Sequence, residues 1–251
     1  MSYKTILISL LLLSVSATPL ASDPATSDLA KEQRWADQII EALLDGEAIT
    51  LNDGKNDFLG ILTESEKDKP SGAIVLHGLG VHPDWAQVVH PLRVGLPEHG
   101  WTTLSLQLPI LANEAEFKDY IPLIPDAAPR IRAGIKHLRS LGISRVVIIA
   151  HSLGTVMTAH ALANDDMGVA GFAAVGMPED SGQYLREIKV PTLDLYGEND
   201  LERIVASAEQ RKAAAAHNKQ YSQVMGKGAD HFFNDRDEQL LATIVAWLNR
   251  R

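Results

Sequence analysis

The stretch AHSLG at positions 150–154 sets a serine among small residues, one position away from G-x-S-x-G. That pattern seats a serine on a sharp strand-to-helix turn with its hydroxyl exposed. A serine hydroxyl is a weak nucleophile. It needs a base to take its proton and a carboxylate to orient the base. Both follow downstream in the order acid then imidazole: Asp200 in LDLYGENDLER and His231 in GKGADHFFNDRDE. The chemistry such a set performs is acyl transfer, with Ser152 as nucleophile, His231 as general base and Asp200 as its orienting acid. Glu198 and Asp194 are alternatives for the acid, and Asp194 is disfavoured because it falls inside an apolar run that reads as a strand.

Acyl transfer also needs two N–H donors for the oxyanion. Leu153, directly after the serine, supplies one candidate, and Leu79 in HGLG (77–80) supplies the other. His77, Gly78, Gly80 and His151 complete a candidate substrate pocket. His77 reads as ordering its loop, and His151 as packing. Each residue also has an ordinary reading: Ser152 as a helix cap, Asp200 as a turn residue, His231 as a loop histidine. Their joint order favours the catalytic one. VHPDW (81–85) offers His82, Asp84 and Trp85, read as wall or loop support and not as a metal site. No metal-ligand spacing and no G-x-G-x-x-G fingerprint occurs, so no metal and no cofactor is expected.

These residues need a scaffold that brings distant loops to one edge. From residue 47 the chain first reads as two strands around Asp53-Gly54, a hairpin signal. Alternation follows: strands GAIVLHG, WTTLSLQLP, SRVVIIA, VAGFAAVGM, VPTLDLYG and KQYSQVM, with helical patterns at 85–98, 125–141, 153–163, 202–216 and a last helix opened by an Asp235/Glu238 capping box. Continuous apolar strands mean a sheet buried on both faces. The expected architecture is α/β: a doubly wound, mostly parallel sheet with an N-terminal antiparallel hairpin. Ser152, Asp200 and His231 then all fall at carboxyl ends of strands, where open α/β sheets bind ligands.

Residues 110–125 are too irregular for a helix and either cover part of the pocket or pack as a surface loop. PEDSGQYLREI leaves room for one short helix, so no large cap domain is expected. Upstream, residues 22–47 form an arm, with a helix capped by Ser27 that buries Leu29, Ala36, Ile40, Leu43 and Leu44, and with Gly46 at its end.

From about Ala48 to its end (48–251) the chain resembles the α/β-hydrolase superfamily. Within it, HGLGVHPDWAQVVHPLRVGLPEHGWTTLSLQLP is similar to a bacterial domain-of-unknown-function family of α/β-hydrolase type, often exported. The resemblance implies the α/β-hydrolase fold and Ser152, Asp200 and His231 as the triad. Ala150 departs from the stricter motif but keeps a small residue there.

The chain has 251 residues, a net charge of −9, no basic run and no cysteine. Nucleic acid is therefore an unfavourable partner. Lys4, the apolar run 6–15 and the small residues SATPLAS read as a cleavable signal, residues 1–21, with cleavage near Ala17 or Ala21 and no stable membrane span afterwards. The expected location is periplasmic, with secretion as the alternative. The expected function is a serine hydrolase acting on a small acyl substrate, a carboxyl ester or thioester. An amidase or peptidase with the same triad, or a non-catalytic binding or scaffold protein on this fold, are the alternatives. Oligomeric state is not legible.

Overall fold

The computed structural model describes residues 26–67 and 71–250. The expected signal segment 1–21 lies outside the described residues. Eight strands form one sheet: β1 (Glu47–Asn52), β2 (Asp57–Thr63), β3 (Ser71–Leu76), β4 (Trp101–Leu106), β5 (Val146–His151), β6 (Gly171–Val175), β7 (Thr192–Asn199) and β8 (Tyr221–Asp230). Their spatial order is β1-β2-β4-β3-β5-β6-β7-β8. β1–β2 and β2–β4 are antiparallel and every other pair is parallel.

Among the described residues eight helices accompany the sheet: α1 (Leu29–Ala42), α2 (Val89–Gly95), α3 (Ala127–Ser140), α4 (Leu153–Asn164), α5 (Gly182–Leu185), α6 (Glu202–Ala206), α7 (Ala208–Ala214) and α8 (Asp237–Leu248). The strands alternate side chains between two cores, as the two-residue period requires. Ile74, Leu76 and Ile148 face Ile131, Leu138 and Val156 of α3 and α4. Their neighbours Ala73, Val75, Val147 and Ile149 face Val89, Leu92, Ile244 and Trp247 of α2 and α8. Both faces are dry, so the strands read as unbroken apolar runs.

Several helix boundaries differ from the expectations. The helix at 85–98 shortens to α2 and a 3₁₀ turn, Leu96–His99, because Val88 is left-handed (φ 60°) and Pro97 opens the second turn. The helix at 202–216 breaks at Ser207, whose backbone (φ −88°, ψ 0°) leaves helical geometry. The capping box on α8 does not form. Asp230 accepts from Phe232 N, Asn234 N and Asn234 Nδ2, and the turn it builds holds Asp235 at φ 56°, so α8 starts from Arg236 without a side-chain cap. On α1, Asp28 and not Ser27 is the cap, accepting from Lys31 N at 2.9 Å. The buried face of α1 is Lys31, Glu32 and Ile39, whereas Leu29, Ile40 and Leu44 are exposed. Ala36 and Leu43 pack, partly buried, against Ile39, Leu59 and Ile61 as expected, and apolar spacing misplaced the rest of that face because Lys31 and Glu32 bury charge against specific partners.

Residues 110–125 mostly form a 3₁₀ segment, Phe117–Asp126, in which Pro122 and Pro125 lack the N–H donors an α-helix needs. After β6 come only a 3₁₀ turn, Glu179–Ser181, and the four-residue α5, so no large cap is present there.

Candidate active site

Strand register brings the site together. β3 pairs with both β4 and β5, and Leu76 stands opposite Leu106 and Ala150. The residues that follow, His77, Gln107 and His151, therefore emerge side by side. On the other flank Asn199 pairs with Asp230 after an irregularity in β7, which places Asp200 beside His231.

Ser152 leaves β5 at φ 51°, ψ −120°, a backbone that L-residues rarely adopt. That turn lifts the side chain off the sheet and starts α4 at Leu153. A Cβ on Gly154 would collide with the His77 carbonyl oxygen, so only glycine fits there. Ala150 is 1% exposed, and its methyl is accommodated in the α3/α4 core.

Ser152 Oγ lies 3.0 Å from His231 Nε2, and His231 Nδ1 lies 2.7 Å from Asp200 Oδ1. Asp200 is further held by Leu201 N (2.8 Å, to Oδ1) and Gly197 N (3.1 Å, to Oδ2). A carboxylate on Nδ1 fixes the proton there and leaves the Nε2 lone pair facing the serine hydroxyl. That is the geometry of a base ready to accept a proton from Oγ.

Gly176, which sequence reasoning did not single out, makes room for this pair. It has φ 63°, and a Cβ there would stand 2.8 Å from His231 Cε1 and 2.9 Å from Nδ1. The available signal was its place directly after the apolar run of β6.

The two candidate oxyanion donors sit on adjacent elements. Leu153 is the first residue of α4, where backbone N–H groups lack intrahelical partners and the helix dipole favours negative charge. The direction of the Leu79 N–H is set by its neighbours. His77 Nε2 accepts from Leu108 N at 2.9 Å, which puts the ring proton on Nδ1, and Nδ1 donates to the Gly78 carbonyl at 2.8 Å. In a planar trans peptide the N–H points opposite to the C=O. With the Gly78 carbonyl turned inward, the Leu79 N–H is turned outward. Burial lowers the His77 pKa to about 3, so this ring stays neutral and keeps its single-proton pattern.

Comparison with solved structures decides the fold. A dienelactone hydrolase from Anabaena variabilis superposes with a TM-score of 0.66 at 20% identity, covering 81% of this chain and 96% of that one. The fold is that of the α/β-hydrolases. An esterase from Pyrococcus furiosus gives a TM-score of 0.69 at 15% identity, covering 84% and 95%. A lidless α/β serine hydrolase from Xanthomonas campestris gives 0.64 at 18% identity, covering 82% and 94%. The family described as protein of unknown function (DUF3530) matches residues 3–121, a span that holds HGLG but ends before Ser152. No curated protein matches the chain in sequence.

On this α/β-hydrolase scaffold the remaining expected residues separate into wall and support. Gly78 lies against Ser152: a Cβ on it would stand 3.1 Å from Ser152 Cβ. Gly80 is left-handed at φ 68° and ends the loop beside the Tyr120 hydroxyl. His77 and His151 do not line an open pocket, being 1% and 2% exposed. His151 Nε2 donates to the His231 carbonyl at 3.0 Å and packs its ring 4.8 Å from the His231 ring. It therefore holds His231 from behind, and burial, reinforced by the neighbouring His231, lowers its pKa to about 4.

The alternative acids are engaged elsewhere. Asp194 is fully buried and accepts from Arg211 Nε (2.8 Å), the Tyr221 hydroxyl (2.7 Å) and Gln223 Nε2 (2.9 Å). Arg211 also donates to the Ile204 carbonyl and Ser207 Oγ, which pins the α6–α7 break next to Asp200. Glu198 is exposed and accepts from Gly228 N. VHPDW is a docking corner: His82 stacks edge-on between Trp35 of α1 and Trp85, and Asp84 pairs with Arg93 and His90.

Proposed function

We propose that the protein is an exported serine hydrolase that cleaves a carboxyl ester or thioester of a small acyl substrate. The observation that carries the reading is the continuous chain Ser152 Oγ, His231 Nε2, His231 Nδ1, Asp200 Oδ1, with steps of 3.0 and 2.7 Å, hung on a serine in a left-handed turn. Export to the periplasm rests on the sequence pattern of residues 1–21 alone.

In the first half-reaction Ser152 Oγ bonds to the acyl carbon while His231 Nε2 takes the hydroxyl proton. The carbonyl π pair moves onto oxygen, stabilised by the N–H groups of Leu153 and Leu79. The tetrahedral species collapses, the bond to the alcohol or thiol oxygen or sulfur breaks, and His231 returns the proton to that leaving atom. Water then repeats the sequence on the acyl-enzyme, releasing the acid and restoring Ser152. Asp200 keeps the imidazole in one tautomer throughout.

Large apolar side chains flank the acid and the base. Leu201 follows Asp200 and Phe232 follows His231, 42% and 40% exposed, and Ile121 of the 3₁₀ segment is 55% exposed. Arg203 of α6 lies over the Phe117 ring at 5.9 Å, which brings α6 and the 3₁₀ segment together. These surfaces favour an apolar acyl or alcohol portion.

The test is a panel of chromogenic acyl esters and thioesters of increasing chain length, run on wild type and Ser152→Ala. Turnover by wild type, lost in the variant, supports the reading. Turnover of anilides alone moves it to an amidase, and binding without turnover moves it to a non-catalytic role.

A further inference from the structure

The oxyanion loop is held through a segment that the N-terminal arm itself holds. Residues 107–111 run from the end of β4 past the site. On their inner side His77 Nε2 accepts from Leu108 N (2.9 Å) and faces Gln107 Nε2 (3.0 Å), and Leu111 N donates to the Tyr120 hydroxyl at 2.9 Å. Tyr120 is 1% exposed, and its phenol oxygen lies against Gly80, 3.8 Å from where a Cβ on that residue would stand. His77 and Tyr120 thus bracket the loop 77–80 from both ends.

On their outer side the same residues are taken by α1 and its cap. Asp28 N donates to the Ile110 carbonyl at 2.7 Å, Ile110 N donates to Ser27 Oγ at 2.8 Å, and Lys31 Nζ donates to the Leu111 carbonyl at 2.8 Å. The Ser27 hydroxyl is oriented by the Glu32 carboxylate, which pairs at 2.9 Å with Arg130, and Arg130 donates to the Gln107 carbonyl at 3.2 Å. Lys31 and Glu32 are 5% and 6% exposed, unusual for charged residues on a terminal helix. Their burial is explained by these bonds and not by the apolar face of the helix.

We infer that the N-terminal arm is a positioning element of the active site: Ser27 and Lys31 fix residues 107–111, and these, through His77 and Tyr120, set the direction of the Leu79 N–H that receives the oxyanion. The inference rests on the reading of Ser152 as an acylating nucleophile. Ser27, Lys31 and Tyr120 touch no reacting atom. They act through the loop, so their loss lowers the rate of acylation and leaves ground-state binding close to unchanged.

The test uses the full chain and two sets of variants. Ser27→Ala with Lys31→Met removes the outer bonds, and Tyr120→Phe removes the phenol oxygen while keeping the ring. Fluorophosphonate labelling of Ser152 is timed well below the melting temperature, and kcat and KM are measured on one ester. The expected result is a labelling rate and kcat lower by about tenfold or more in both variants, with KM within about twofold, since small displacements of catalytic donors have effects of this size. Amide exchange in residues 77–80 is expected to quicken in parallel. Ser27→Thr, which keeps the oxygen, restores the rate. Val169→Ala, which removes core packing just before β6 at the strand end away from the site, leaves the rate per folded molecule unchanged. Lys31→Met alone serves if the double variant does not fold. Wild-type labelling rates and unchanged exchange in the folded variants overturn the inference, as does an equal loss in Val169→Ala. Absence of labelling in wild type contradicts the hydrolase reading itself, and the exchange measurement still tests the coupling.

Discussion

Gly176 lies against the His231 ring: a Cβ placed on it would stand 2.8 Å from Cε1 and 2.9 Å from Nδ1. The end of β6 thereby leaves the imidazole the volume it needs to meet Asp200 and Ser152 together. Gly176→Ala should push the ring off one of its two hydrogen bonds and strain a left-handed backbone. The expected outcome is a loss of at least about a hundredfold in kcat on any accepted ester with the fold retained, because misplacing a catalytic group by an ångström costs that much. Kinetics paired with circular dichroism check it, and an active Gly176→Ala would show that the ring is not confined there.

Ser152 carries backbone strain for its position. At φ 51°, ψ −120° a side chain is disfavoured by about 1–3 kcal/mol. Ser152→Gly should therefore be more stable than Ser152→Ala by about 1 kcal/mol, while both lose on the order of 10⁶ in kcat. Urea denaturation of the two variants side by side reads the difference.

The His77 ring should matter out of proportion to its distance from the reacting atoms. His77→Phe keeps a buried ring but removes the bonds to the Gly78 carbonyl and Leu108 N. The Leu79 N–H then loses its fixed direction. The expected loss in kcat approaches the roughly 10²-fold cost of one oxyanion donor, with KM little affected. Loss of KM alone would assign His77 to substrate binding.

Stability should fall with acid through the two buried histidines. Burial lowers His77 to about 3 and His151 to about 4, whereas in the unfolded chain both titrate near 6.5. Between these limits the unfolded state binds more protons, so stability is present above about pH 6.5 and is lost as pH falls towards 4. From pH 7.5 to pH 5 each ring accounts for about 2 kcal/mol. Urea midpoints across this range, with ring resonances of both histidines remaining in the neutral position at pH 5, check the sign.

The Asp194–Arg211 pair is fully buried, and Asp194 accepts four hydrogen bonds from three residues. Arg211→Leu leaves that carboxylate without its cation and releases the carbonyl of Ile204. A destabilisation of about 3–5 kcal/mol is expected, measured by urea denaturation.

The sheet was legible because its signal is local and redundant. Apolar runs such as VVIIA and GFAAV buried on both faces can only be interior strands, and the hairpin at Asp53-Gly54 announces itself in two residues. The positions of Ser152, Asp200 and His231 follow from knowing which end of a strand each residue ends. What was not legible depends on contacts between distant segments. Ser27 reads as a cap, yet its oxygen serves Ile110, 83 residues away. The face of α1 was misread at Leu29, Ile40 and Leu44, because Lys31 and Glu32 are buried for their partners. Asp235 reads as the start of a capping box, but Asp230 had already committed that turn. Gly176 carries no motif of its own, and its role exists only once β6 lies next to the loop holding His231.

The central claim is that Ser152 is an activated nucleophile. Reacting the mature protein with a fluorophosphonate and taking intact mass for wild type and Ser152→Ala tests it most directly. A single adduct on wild type, absent from the variant, is the result this account requires. A folded wild type that stays unmodified, or an adduct that persists in Ser152→Ala, would contradict it.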